Sequence, residues 1–305
     1  MRFKFKAHCK ATQGMQEPYW EGEAPTKPRP SANAQPPPFS PGRVARRSRP
    51  LQSAPPAVAS PHATPDDGIF MHPVAQLHQD GYALLRDVYD AAEVASLTAR
   101  LLTALDSTEP SVLRSRGHTY GSRDLIRLLP EICDIPHRPV LREFISSILG
   151  PHAGLVRALY FDKPPERSWS LPWHKDQAIA VKRNDLPSTQ FRRPTTKAGV
   201  PHVEAPELLL KTMLTLRLHL DPMTPDNGPL SVIPGSHLTT IDDHTAQPVE
   251  IHTNAGDALA MRPLLTHSSS QSNPGTAMHR RVIHLEFAPT PTLPDSYEWH
   301  SFQSV

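Results

Sequence analysis

The chain has 305 residues, 38% of them hydrophobic, and a formal net charge of +2 at pH 7. That length can bury a sizeable core in one large domain or two small ones. The near-neutral balance gives no global reason to expect nucleic acid or an anionic membrane as partner.

Cys9 and Cys133 are the only cysteines, too few for a disulfide framework. No run of about 18 apolar residues marks a membrane span, and no apolar stretch follows MRFKFK to mark a secretory signal. A reducing, cytoplasmic setting is expected.

Residues 1–68 differ from the rest. Proline is dense, and between Ala24 and Pro65 there are six basic residues and no acidic one. Such a stretch buries too little apolar surface to offset chain entropy and is expected to be disordered. A start of translation at Met71 is the simplest alternative account of it. From about Ile69 a folded domain is expected to run to residue 305.

In chain order, Tyr82–Leu85 reads as a short apolar strand. Asp90 and Glu93 form a capping box before Val94, Leu97, Leu101 and Leu105, which recur at helical spacing. A short helix is expected around Asp124–Leu129. Another starts at Pro139, turns Leu141, Phe144, Ile145 and Ile148 inward, and stops at Gly150-Pro151.

From Leu155 the period changes. GLVRALYF, TMLTLRLHL, LSVIPGSH, VEIH, DALAMRP and RVIHLEF read as short strands separated by proline and glycine turns. About eight such strands suggest a mainly β fold, a sandwich or jelly roll, with flanking helices. In TMLTLRLHL, Leu214, Leu216, Leu218 and Leu220 alternate with Thr215, Arg217 and His219, and alternation alone does not say which face is inward. Residues 182–206 carry Lys182, Arg183, Arg192, Arg193 and Lys197. They read as a long insertion able to lid a site, and a solvated loop explains the charges better than a phosphate site.

Histidines number 17, so spacing must single out those with a role. In SWSLPWHKDQAIAV, His174 and Asp176 lie two apart in a strand-like run, on one face. Two histidines and one carboxylate suit a non-haem Fe(II) site with open positions. The third ligand must come from elsewhere, and His267 follows an apolar strand. Arg280 lies 13 residues later, with the turn Asn273-Pro274-Gly275 almost midway. An antiparallel hairpin about that turn would bring Arg280 back beside His267, where a guanidinium can grip a dicarboxylate. The competing reading is a core histidine bonded to a surface aspartate, with His267 in a loop. Trp169 and Trp173 flank the motif and are expected to pack. His237 is expected to be structural.

WHKDQAIAVK, DNGPLSVIPGSH and RRVIHLEFAP, with DGYALLRDVYDAAEVASL upstream, resemble the phytanoyl-CoA dioxygenase family of iron(II)/2-oxoglutarate oxygenases over about residues 75–289. The resemblance implies a double-stranded β-helix (jelly roll, cupin-like) core. It implies iron ligation by His174, Asp176 and His267, and a 2-oxoglutarate carboxylate held by Arg280. That arginine, and not Arg281, precedes Phe287 by seven residues as in the family pattern. Ser269, two after the second histidine, matches a hydroxyl near the cosubstrate. Asp176 retains the carboxylate whose loss would open a halide site.

The resemblance implies a dioxygenase that uses Fe(II), 2-oxoglutarate and O2 to hydroxylate a C–H bond of a small molecule, releasing succinate and CO2. No nucleic-acid or membrane partner is expected, and the substrate and oligomeric state stay open. Two other classes remain: a non-catalytic binding or regulatory protein that kept the fold and metal site, and a metal hydrolase on a cupin-like barrel.

Overall fold

The computed structural model describes residues 71–115, 117–165, 167–239 and 247–305. The expectation for residues 1–68 lies outside them.

The described residues form five α-helices: α1 Pro73–Asp80, α2 Ala91–Leu105, α3 Leu125–Leu128, α4 Pro139–Leu149 and α5 Glu207–Leu210. The strands are β1 Tyr82–Leu85, β2 Val112–Ser115, β3 His118–Ser122, β4 Gly154–Lys163, β5 Leu171–His174, β6 Ala178–Ala180, β7 Arg192–Lys197, β8 Val200–Glu204, β9 Leu214–His219, β10 Leu230–Val232, β11 Val249–Ile251, β12 Ala258–Met261, β13 His267–Ser269, β14 Arg280–Ala288 and β15 Gln303–Ser304. Among the described residues no helix is long and apolar enough to cross a membrane.

The large sheet runs β1-β12-β9-β14-β4-β3-β2, with β15 added beside β4. A four-stranded sheet, β11-β10-β13-β5, supplies the second wall, and β6-β8-β7 form a third sheet. The two main sheets make the expected double-stranded β-helix, with helices against the outer face of the large one.

Local chemistry explains the helices. Asp90 accepts from the Glu93 amide at 2.8 Å, and Glu93 accepts from the Asp90 amide at 2.9 Å, so the capping box closes. Glu93 also takes two hydrogen bonds from Arg138, at 2.8 and 2.7 Å, which ties α2 to the start of α4. Leu97, Leu101 and Leu105 of α2 and Leu141, Phe144 and Ile145 of α4 pack in one cluster with Leu214, Leu216, Leu218, Ile283, Leu285 and Phe287 of the sheet. Each such side chain contributes about 1.5–3 kcal/mol by leaving water. A second cluster, with Tyr82, Leu230, Val232, Ile251, Leu259 and Met261, fills one end of the space between the two walls.

Three expectations need correction. The chain from His267 to Arg280 is not a hairpin. β13 pairs with β10 and β5, whereas β14 pairs with β4 and β9, so the Asn273-Pro274-Gly275 turn carries the chain from one sheet to the other. Both faces of β14 are buried, and the long partners β4 and β9 saturate its edges, so no edge is left for β13. Residues 182–206 are not a loose insertion, because 192–197 and 200–204 form the β7–β8 hairpin and β8 pairs with β6. Trp173 does not pack, being 42% exposed, whereas Trp169 meets Tyr120 edge to face at 6.0 Å.

Candidate metal centre

His174 ends β5 and His267 begins β13, and the two stand opposite each other in the four-stranded sheet. Their rings lie 4.3 Å apart, tilted by 51°. Asp176 is already past the end of β5. It reaches the same point from a loop whose amide, at Asp176, donates to the Pro263 carbonyl at 2.9 Å. The alternation argument thus finds the right pair, but a backbone anchor and not a strand pleat aims the carboxylate.

Asp176 Oδ1 lies 3.9 Å from His174 Nε2, and Oδ2 lies 3.7 Å from His267 Nε2. One ligand atom from each of the three residues falls within 4.8 Å of the others. Each imidazole is oriented from behind: Nδ1 of His174 faces the Pro172 carbonyl at 2.8 Å, and Nδ1 of His267 faces the Leu265 carbonyl at 2.9 Å. A proton donated there leaves the Nε2 lone pair for the centre, the usual support of a metal-binding histidine.

Burial pushes the His267 imidazole down to about 4, so it is neutral at pH 7. Burial alone would raise the Asp176 carboxyl, but His267 and His174, with His284 and Arg157 behind them, hold it well below the usual range. Two imidazole nitrogens and a carboxylate converging in this way fit a divalent transition metal with positions left open.

Arg280 opens β14 opposite Lys163 of β4. Lys163, which the sequence reading did not single out, donates to Ser269 Oγ at 2.9 Å and to the Ser270 carbonyl at 2.8 Å. Arg280, Lys163, Ser269 and Arg217 are all buried. Burial, then the neighbouring Arg280 and Arg217, drive the Lys163 ammonium down to about 5. Burial and Arg217 bring Arg280 down to about 9. The Nε atoms of Arg280 and Arg217 have no hydrogen-bond partner. Cations crowded like this are unfavourable until an anion joins them.

Arg281 points the other way and is spoken for: its Nη2 and Nε donate to Asp221 at 2.6 and 2.8 Å. Thr215, Arg217 and His219 form the inward face of β9, since Arg217 feels Asp176 and His219 feels Arg217 and Arg280. His237 bonds the His78 carbonyl at 3.3 Å, outside the centre.

Strand parity groups the missed β4 residues on one face, but only the packing makes that face the inside. Arg157, Leu159, Phe161 and Lys163 share one face of β4. They stand opposite Glu286, His284, Val282 and Arg280 of β14.

Comparison with known proteins bears on the family and the fold. The family model "Phytanoyl-CoA dioxygenase (PhyH)" matches residues 77–281. Ectoine dioxygenase of Sphingopyxis alaskensis is 25% identical over 194 residues, covering 59% of this chain and 56% of the relative. The chain therefore spans about half the length of that curated relative. EctD from S. alaskensis, solved with 2-oxoglutarate and 5-hydroxyectoine, matches with a TM-score of 0.56 at 20% identity, over 74% of this chain and 78% of that one. The non-heme alpha ketoglutarate dependent epimerase SnoN from nogalamycin biosynthesis matches with a TM-score of 0.53 at 19% identity, over 73% and 85%. At such identities the two structures speak to the fold alone. The family match covers most of the chain and includes all three converging residues: this protein belongs to the phytanoyl-CoA dioxygenase family.

Proposed function

We propose that the protein is an Fe(II)- and 2-oxoglutarate-dependent dioxygenase that hydroxylates a C–H bond of a small molecule. The observation that carries this is the convergence of His174, Asp176 and His267, with both imidazoles pinned through Nδ1.

When bound, Fe(II) and 2-oxoglutarate supply oxidative decarboxylation, in which one atom of O2 enters succinate with release of CO2 and the other enters the substrate's C–H bond. The chain's own residues position these groups. His174, Asp176 and His267 are ligands and move no proton. Arg280 takes the far carboxylate of 2-oxoglutarate in a charge-assisted contact. Lys163 and Ser269 complete that cradle, because the Lys163 amino group already donates to the Ser269 hydroxyl. Arg217 carries positive charge between the cradle and Asp176. The apolar cluster of Leu230, Val232, Leu259 and Met261 closes one end of the interior to water. A cytoplasmic setting belongs to the same proposal, since ferrous iron needs a reducing environment.

The test is succinate formation from 2-oxoglutarate with Fe(II), ascorbate and O2, in the wild type and in Asp176→Ala. Succinate from the wild type only is the expected result. Iron binding without succinate would point to the non-catalytic alternative, and activity with zinc alone would point to the hydrolase.

A further inference from the structure

The interior of the large sheet has two polar ends, and the cosubstrate cradle uses one. Along β14 the inward residues are Arg280, Val282, His284 and Glu286, facing Lys163, Phe161, Leu159 and Arg157 of β4. Six residues of strand separate Arg280 from Glu286, about 20 Å. The metal triad has neighbours towards both ends. Ser269 meets Lys163 at the cradle end, and His267 is two residues back. Asp176 feels both His284 and Arg157.

The far end is a built cluster. Arg157 Nη2 and His284 Nε2 both donate to Glu286 Oε1, the second at 3.1 Å. His202, from β8 of the third sheet, is close enough to feel the Arg157 charge. Arg157, Glu286, His284 and His202 are each at least nine-tenths buried. Nothing in the proposed oxygen chemistry uses them.

Their unmet hydrogen-bonding capacity is specific. Arg157 Nε and Nη1, His284 Nδ1 and His202 Nε2 are buried without a partner. His202 Nδ1 is engaged by the Val200 carbonyl at 2.8 Å, so its Nε2 is an acceptor. The tautomer of His284 that gives Nε2–H to Glu286 presents its unpartnered Nδ1 as an acceptor too. Glu286 receives both its bonds on Oε1, which leaves Oε2. The cluster therefore offers two guanidinium donor atoms and three acceptors. Its one guanidinium and its one carboxylate already pair with each other. Arg123 and Lys197, whose charges also reach His202, each have a partner of their own.

We propose that Arg157, Glu286, His284 and His202 bind the head of the primary substrate, and that this substrate is a small zwitterion carrying a carboxylate and a protonated amine. The carboxylate meets Arg157. The ammonium, with three donors, meets Glu286 Oε2, His284 Nδ1 and His202 Nε2. A fatty acyl-CoA or a second dicarboxylate brings anions to a buried carboxylate with no spare cation, and leaves the three acceptors unmet. A site built around buried polar groups rejects ligands that leave them unpaired. This assignment rests on the oxygenase reading only for which end of the interior the cosubstrate fills.

The test uses the full chain with two readouts. The probes are the common L-amino acids, the matching acids without the amine, the matching amines without the carboxylate, and palmitoyl-CoA. Thermal shift of the zinc-loaded protein with 2-oxoglutarate reads binding, and succinate release by the iron form reads coupling. We expect amino acids to raise the melting temperature and to stimulate succinate formation, and the other three classes to do neither. Glu286→Gln and His202→Gln raise the half-maximal amino-acid concentration at least tenfold, whereas the exposed control Glu298→Gln does not.

Stabilisation by palmitoyl-CoA or by the deaminated acids, no response to any amino acid, or unchanged half-maximal concentrations in both variants overturns the proposal. A wild type that binds no iron and makes no succinate sinks the oxygenase reading instead, and the thermal-shift arm still decides the zwitterion.

Discussion

The two faces of the central strands β9 and β14 are both buried and chemically opposite. Outward, Leu214, Leu216, Leu218, Ile283, Leu285 and Phe287 meet the helices in an all-apolar cluster. Inward, Thr215, Arg217, His219, Arg280, His284 and Glu286 are also buried but polar or charged. Several of their polar atoms have no partner. A pleat of two residues separates the faces. The outer face stabilises the fold, and the inner face holds polar groups at an energetic cost that bound ligands offset.

That contrast can be broken at chosen points. The largest effect is expected on the inner side. Asp176→Ala removes a ligand outright. Because even a supporting group around a metal is worth about 10–100-fold, iron affinity should fall by more than about 100-fold and succinate formation should vanish. Metal analysis of the purified variant checks this, and wild-type iron content would falsify the assignment.

Leu216→Ala, one residue from Arg217 but facing the helices, should behave in the opposite way. A Leu→Ala cavity in a packed core costs about 2–5 kcal/mol. The half-saturating 2-oxoglutarate concentration of the folded fraction should not move. Denaturant melts alongside a 2-oxoglutarate titration separate the two effects, and a large rise in that concentration without loss of stability would erase the distinction between faces.

Arg280→Met should do the reverse, with little change in iron content. Losing charge-assisted hydrogen bonds worth about 1.5–3 kcal/mol each should raise the 2-oxoglutarate requirement by roughly 100-fold. Arg281→Met breaks the ion pair with Asp221 and should leave that requirement alone. Equal effects from the neighbouring arginines would show that the pleat does not sort them.

The smallest effect is on acid stability. Burial, then Arg157, pushes the His202 imidazole down to about 2, against an ordinary value near 6.5. Below pH 6.5 the unfolded chain takes up a proton that folded His202 refuses, so its neutral burial costs stability progressively as pH falls towards 2. Metal-free protein should melt at lower temperature at pH 5 than at pH 7. His202→Gln should flatten that dependence by at most about 1.4 kcal/mol per pH unit. His267 acts the same way down to about 4 in the metal-free protein. A His202→Gln melt with the wild-type slope would show that this imidazole is not what acid attacks.

Some of this was legible one residue at a time. The Asp90–Glu93 box, the leucine stripe of α2 and the Pro139 start of α4 are local signals, and each appears where the spacing puts it. The helix α1 and the β2–β3 hairpin were not anticipated, because PVAQLHQD and the stretch around His118 carry weak periodicity and are held mainly by packing. In the site, the His174–Asp176 spacing and the distant His267 could be picked out from residue type and order. Lys163 could not, because a lysine at a strand end ordinarily reads as a solvated edge.

By itself the sequence determined the elements whose causes are local: caps, turns, alternation, and the residue types able to hold a divalent ion. Tertiary structure alone decided that β13 and β14 part into different sheets, that Arg280 turns inward while Arg281 pairs with Asp221, and that Lys163, Arg157 and His202 enter the interior. The reason is physical. A strand's alternation defines two faces, but which one becomes the inside depends on what else in the chain packs against it.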